Sequence, residues 1–215
     1  MTNFNGITPK AIELLSENRF NDSKAFYEEH KEELKQLATI PMRQIVLDLA
    51  EMMTQLDDKM YTDPVYTVSR IRRDTRRSKS KMMYRENLWL MLRRHKKQYP
   101  CAPFFWFEFS PVCYTMGLGF FVQKPAQFDE LRKVILAHPR KWTHAVKQAE
   151  DAGMHFGCYN SYKKRPGAGC TQGAAALFEC KGHVVLLYRV ELGAHWLDCA
   201  DRRVKSRICR GISVI

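Results

Sequence analysis

The chain has 215 residues, 45% hydrophobic and 27% charged, a balance that fits a globular protein with a buried core and excludes disordered and fibrous classes. No apolar run reaches the ~18–20 residues a membrane span needs, and residues 1–6 lack the basic-then-apolar order of a secretory signal, so neither a membrane protein nor a secreted one is expected. The formal net charge of +12 makes anions the natural partners.

In chain order, Thr8 reads as an N-cap and Pro9 as the first helical position, with Ala11, Ile12, Leu14 and Leu15 at helical spacing behind them. A helix is predicted over about 9–18. Asn21 or Asp22 is placed to cap a second helix through Phe26, Tyr27, His30, Leu34 and Leu37, whose Glu and Lys residues face one another at i,i+3 and i,i+4. Pro41 opens or kinks a third, in which Ile45, Leu49, Met52, Met53 and Leu56 form the apolar stripe. After Asp63-Pro64 the composition turns β-branched and aromatic. Strands are predicted at 65–71, 88–92, 104–109 and 114–122, the last two joined in a hairpin at Ser110-Pro111. Helices return at about 125–137, with Phe128, Leu131, Val134 and Ile135 on one side, and at 139–152, with Trp142, Val146 and Ala149. Short gaps between the strands leave no room for crossover helices. The expected fold class is therefore α+β, with N-terminal helices, a central mainly antiparallel sheet and further helices after it. The expected organisation is one α+β domain over 1–182 and an atypical tail over 183–215.

The charge is concentrated. Residues 70–97 carry 12 Lys and Arg against 2 Asp and Glu, whereas residues 1–69 carry 7 against 12. Between the arginines stand hydrogen-bonding types (Thr75, Ser78, Ser80, Tyr84 and Asn87) of the kind that supplement guanidinium forks around a phosphate or carboxylate. Pairing with the acidic first 69 residues is the plain alternative, but exposed ion pairs contribute only ~0–1 kcal/mol each and give little reason for such density.

Three stretches resemble a family of bacterial and fungal proteins, domain of unknown function 2461: residues 4–7 entering the first helix, residues 21–31 in the pattern Asn-x-x-x-x-Phe-Tyr-Glu-x-His-Lys, and residues 69–87 carrying Arg-Asp-Thr-Arg-x-Ser-Lys-x-Lys-x-x-Tyr-Arg-x-Asn. Residues 107–111, 116–121 and 125–132 extend the resemblance through the paired strands and the helix after them. The resemblance brings no activity with it. It implies an aromatic or large apolar residue where Arg77 stands and an acidic one where Ser80 stands, so a carboxylate that would serve as base or metal ligand is replaced here. From Gly182 on, the chain departs from the helical, aromatic-ended tail the resemblance implies. A divergent tail or a shifted reading frame would both produce this; Val184 to Leu187 can still add a strand, and beyond Glu191 weak packing is expected.

The chain has no phosphate-loop, dinucleotide-binding, nucleophile-elbow or zincin motif, and no cofactor is expected. Gly117-Leu118-Gly119 reads as close backbone packing rather than a phosphate cradle. The seven cysteines, with none in C-x-x-C spacing, read as free thiols in a reducing cytoplasm, with no disulfide framework and no metal site; the glycine-rich stretch 167–173 beside Cys170 reads as a loop. Asp74, among four arginines, should stay ionised and organise them rather than act as a base near pH 7. The expected ligand-binding residues are Arg72, Asp74, Arg76, Ser78, Lys79, Lys81 and Tyr84, taking an anionic ligand such as a phosphate-bearing small molecule or a nucleic-acid backbone. Two alternatives stand beside this. One is an enzyme on a phosphorylated or carboxylated substrate, with Tyr84 or Glu108 as acid/base; the other is a module for an acidic partner or for single-stranded nucleic acid stacked on Phe104, Trp106 and Tyr114.

Overall fold

A computed structural model describes residues 4–99, 102–121, 125–158 and 183–191. Thr8 Oγ1 accepts the Ala11 N–H at 3.3 Å and Pro9 opens helix α1 (Pro9–Asn21), which buries Ala11, Ile12, Leu14 and Leu15 on the predicted face. Helix α2 (Lys24–Leu34) runs into a π-helical turn (Lys35–Thr39) and on into α3 (Ile40–Leu56). Pro41 has no N–H to give to the preceding turn. The Ile40 N–H reaches back five residues to Lys35 O, so the chain widens by one residue there and passes the proline without a break. Along α3, Met42, Ile45, Val46, Leu49 and Met53 are buried, whereas Leu56 from the expected stripe is exposed.

The strand expected at 65–71 does not form as such. Asp63 Oδ1 accepts the Val65 N–H at 2.7 Å and its carbonyl accepts the Thr67 N–H at 3.0 Å, and with Pro64 at the first position these bonds close the short helix α4 (Pro64–Thr67). Local capping outcompetes β propensity over 64–67, and beyond it the run keeps only isolated antiparallel contacts, Val68 bridging Leu90, Ser69 N donating to Trp89 O and Ile71 O accepting the Arg85 N–H.

The strands are β1 (Met60–Tyr61), β2 (Leu88–Arg94), β3 (Phe104–Phe109), β4 (Cys113–Phe121), β5 (His155–Cys158) and β6 (His183–Glu191), in the order β1-β2-β3-β4-β6-β5. The hairpin expected at Ser110-Pro111 joins β3 to β4, with Ser110 N donating to Cys113 O at 2.8 Å. Helices α5 (Pro125–Ala137) and α6 (Pro139–Asp151) follow β4 as predicted, and the fold is α+β. Two further strands then return to the same sheet: β5 and β6 pair antiparallel, His155 opposite Leu187 and Cys158 opposite Val184. The segment from 184 to 187 thus adds the strand its apolar run allowed, and β6 begins just past the boundary expected at residue 182.

The chain divides into two compact units. The first holds the described residues of 1–92, 106–115 and 190–191, and its core gathers Leu15, Leu34, Met42, Val46, Met53, Tyr84, Leu88 and Leu90. Each large side chain fully buried in this way contributes roughly 1.5–3 kcal/mol relative to exposure. The second holds the described residues of 93–105, 116–158 and 183–189. There α6 closes on Gly153 at φ 83°, whose N–H bonds to Glu150 O while the Met154 N–H bonds to Ala149 O, and Ala149 and Met154 bury together against Phe156. On α5, Ile135 is buried and Leu131 half-buried, but Val134 is 60% exposed and Arg132 takes the buried position, its Nη1 bonded to Asp129 at 2.7 Å. The expectations for 159–182 and 192–215, with Cys170, Cys180, Cys199 and Cys209, lie outside the described residues, as does Cys101. Cys113 is a half-buried free thiol.

Candidate anion-binding hairpin

The basic run folds back on itself. Ser69 N donates to Trp89 O at 2.8 Å, and Ser69 Oγ accepts the Trp89 N–H at 3.0 Å. Arg85 N donates to Ile71 O at 3.0 Å, Arg73 N donates to Met83 O at 2.7 Å, and Arg72 stands opposite Tyr84 in an antiparallel bridge. The turn between the two limbs is closed by Ser78 N on Thr75 O at 3.2 Å. Because side chains alternate across a strand pair, Ile71, Arg73, Met83 and Arg85 share one side of this hairpin, and Arg72 and Tyr84 share the other. Asp22 pins it to the helical layer. It sits at the C-cap of α1 in the left-handed region (φ 44°, ψ 35°), and its Oδ1 accepts the Met83 N–H at 2.7 Å and the Tyr84 N–H at 3.1 Å. Asp22 therefore does not cap α2, whose N-cap is Ser23.

On the Tyr84 side the ring is 1% exposed and stacks on Tyr27, with centroids 4.8 Å apart and planes at 22°. Burial pushes the Tyr84 phenol above its ordinary value, against the pull of the nearby Arg72 charge. Burial thus favours the protonated phenol over the phenolate. At the tip, Arg76 grips Asp74 with two guanidinium bonds, Nε to Oδ1 at 2.9 Å and Nη2 to Oδ2 at 2.6 Å, and these bonds hold the Asp74 carboxyl well below the usual carboxylate range. Asp74 is thus ionised, as expected, but the pair is open to water, with side chains 62% and 87% exposed. Lys81 Nζ donates to Thr75 O at 3.2 Å, and Lys79 and Arg77 are exposed. The seven expected residues therefore occupy three places: Arg72 with Tyr84 on one side, Asp74, Arg76, Lys79 and Lys81 at the tip, and Ser78 on the opposite side.

That opposite side holds two arginines, Arg73 and Arg85, that are not among the seven expected residues. Arg73 donates from Nη2 to Ser78 Oγ at 3.1 Å and from Nη1 to Ser80 Oγ at 3.4 Å. Arg85 is half-buried, and its Nε is buried with no hydrogen-bond partner among the described residues. Burial first, and the Arg73 charge second, press the Arg85 pKa down, while the Glu108 charge acts in the opposite direction. Glu108, on β3, is half-buried and accepts the Asn87 amide from Nδ2 on Oε1 at 2.5 Å. The turn at 75–78 does not by itself reveal this pairing: continued as a regular hairpin it would set 73 opposite 80, whereas the observed limbs set 73 opposite 83 and 71 opposite 85. Along β3, Phe105, Phe107 and Phe109 alternate inward, and Phe104 and Tyr114 are also buried, so these two are core residues rather than open stacking platforms.

Among the described residues no three His, Cys, Asp or Glu side chains gather as a metal ion would need, and no helix is long and apolar enough to cross a membrane. The chain belongs to the family of conserved hypothetical proteins DUF2461, which matches residues 10–186 and so includes the whole hairpin and Glu108. Comparison with curated proteins yields no match.

Proposed function

We propose that this member of the DUF2461 family binds a small phosphate- or carboxylate-bearing anion on the Arg73 and Arg85 side of the hairpin. One observation carries the reading: among the described residues no carboxylate lies within ion-pair distance of either guanidinium. Arg73 is held by two neutral hydroxyls, and among the described residues the buried Arg85 Nε has no partner, although exposed Arg76, Lys31 and Lys35 all have carboxylate partners. Two like charges on one side, one of them partly desolvated, are costly to the folded chain unless an anion completes them. Guanidinium forks suit that task, since each presents planar, paired N–H donors to two oxygens. The exposed cations at the tip then raise the local anion concentration rather than form the site.

The test is a thermal-shift screen of phosphorylated metabolites, dicarboxylates, nucleotides and oligonucleotides on the full chain. Stabilisation should grow as RT ln(1 + [L]/Kd), about 2.7 kcal/mol at 100 Kd. A melting temperature unmoved by every anion would end the proposal. A log–log salt slope of several units, at roughly −0.7 to −0.9 per phosphate contacted, would instead assign the surface to a nucleic-acid backbone.

A further inference from the structure

The same cluster that presents two guanidinium groups also presents unused acceptors. Asn87 directs its amide N–H to Glu108 Oε1, which leaves Glu108 Oε2 and Asn87 Oδ1 without a donor among the described residues. Glu108 belongs on chemical grounds with Arg85, and its charge is felt there, yet the two do not touch: no ion pair joins them. Had they paired, each would have neutralised the other and the cluster would offer neither charge. Held apart and half-buried, they present a positive end at Arg73 and Arg85 and a negative end at Glu108, fixed on adjoining backbone by the hairpin and by β3. A rigid separation of opposite charges selects a ligand with the complementary separation, because each end rejects the like charge and desolvates only for the unlike one.

Resting on the anion reading above, we propose that the ligand is a small zwitterion, whose anionic end is taken by Arg73 and Arg85 and whose ammonium end is taken by Glu108 Oε2 and Asn87 Oδ1. The chemistry shared by its two sources is an ammonium a few bonds from an oxyanion, as in an amino acid or an aminoalkyl phosphate. Glu108 is the residue that sets the specificity. Asn87 holds Oε1 of that carboxylate through its amide and offers its own Oδ1 beside it.

Calorimetric titration of the full chain with two matched pairs of probes tests this: 2-aminoethyl phosphate against ethyl phosphate, and β-alanine against propionate. The members of each pair share the anion and nearly the same length, and differ in the ammonium. In the unaltered protein the aminated member of at least one pair should bind about tenfold or more tightly than its partner, in keeping with the coupling of close charge pairs. The pair that shows the preference identifies the source of the anion. Glu108→Gln, which keeps shape and hydrogen bonding, should bring the two members within about twofold of each other, and Arg85→Gln should abolish binding of both. Equal affinities within both pairs in the unaltered protein would overturn the zwitterion inference while leaving the anion reading intact. No binding by any of the four probes would also overturn the zwitterion inference, while the anion reading falls only if the thermal-shift screen finds no stabilising anion. The comparison within the unaltered protein stands even where a variant fails to fold.

Discussion

Asp22 and Met83 are 61 residues apart, and the carboxylate of the first accepts the amide of the second at 2.7 Å, with the Tyr84 amide on the same oxygen at 3.1 Å. The left-handed conformation at the end of α1 is what aims this side chain away from its own helix. A helix C-cap thereby sets the position of the strand limb that carries Arg85, so the placement of the cluster depends on a residue outside the basic run.

Removing that carboxylate should loosen the hairpin. A hydrogen bond to a charged group contributes about 1.5–3 kcal/mol, and Asp22→Asn, which keeps an acceptor and tolerates the left-handed conformation, should lose less than Asp22→Ala. Denaturant melts give the difference, and hydrogen exchange at the amides of residues 83 and 84 shows whether the loss is local. If Asp22→Ala leaves both amides as protected as before, the tether does not hold the hairpin.

The buried Tyr84 makes a prediction at high pH. Its phenol is raised above 10.0 in the folded chain, chiefly by burial, so the neutral form is favoured by folding. Its contribution is fully present below pH 10 and is lost as pH rises through the folded value, because the unfolded phenol releases its proton first. Tyr61 moves in the same direction for the same leading cause. Stability should therefore fall above pH 10, and Tyr84→Phe should flatten that fall. An unchanged alkaline limb in the Phe variant would show that Tyr84 does not carry it.

Arg85→Met should separate stability from binding. In the absence of ligand it removes a partly desolvated cation beside Arg73 and keeps the apolar stem, so the melting temperature should hold or rise. Stabilisation by anions should vanish in the same variant. A clear drop in the ligand-free melting temperature would instead make Arg85 a structural residue.

Asn18 stands fully buried on the core face of α1, and among the described residues neither its amide nitrogen nor its amide oxygen has a partner. Each unsatisfied buried group costs about 1–3 kcal/mol, and replacing such a group with an apolar one of similar volume relieves that cost. Asn18→Leu should raise stability in equilibrium denaturation. A loss would mean that the amide makes a bond in solution that the packing alone does not reveal.

The N-terminal helices, the β3–β4 hairpin and helices α5 and α6 were all legible in the sequence, because each rests on local chemistry. Thr8-Pro9 caps and opens α1 wherever it occurs, and period-two aromatics at 105, 107 and 109 bury one face of any strand they form. Asp63-Pro64 was equally local, yet its capping bonds overrode the β-branched run behind it. The basic run announced an anion through composition alone, but composition does not sort twelve cations. Which of them meet depends on the register of the 71–73 and 83–85 limbs, on the reach of Asp22 across 61 residues, and on the pairing order that brings Glu108 to Asn87. These are non-local pairings, set by which surfaces bury together, and a one-residue slip in register would send Arg73 and Arg85 to opposite sides.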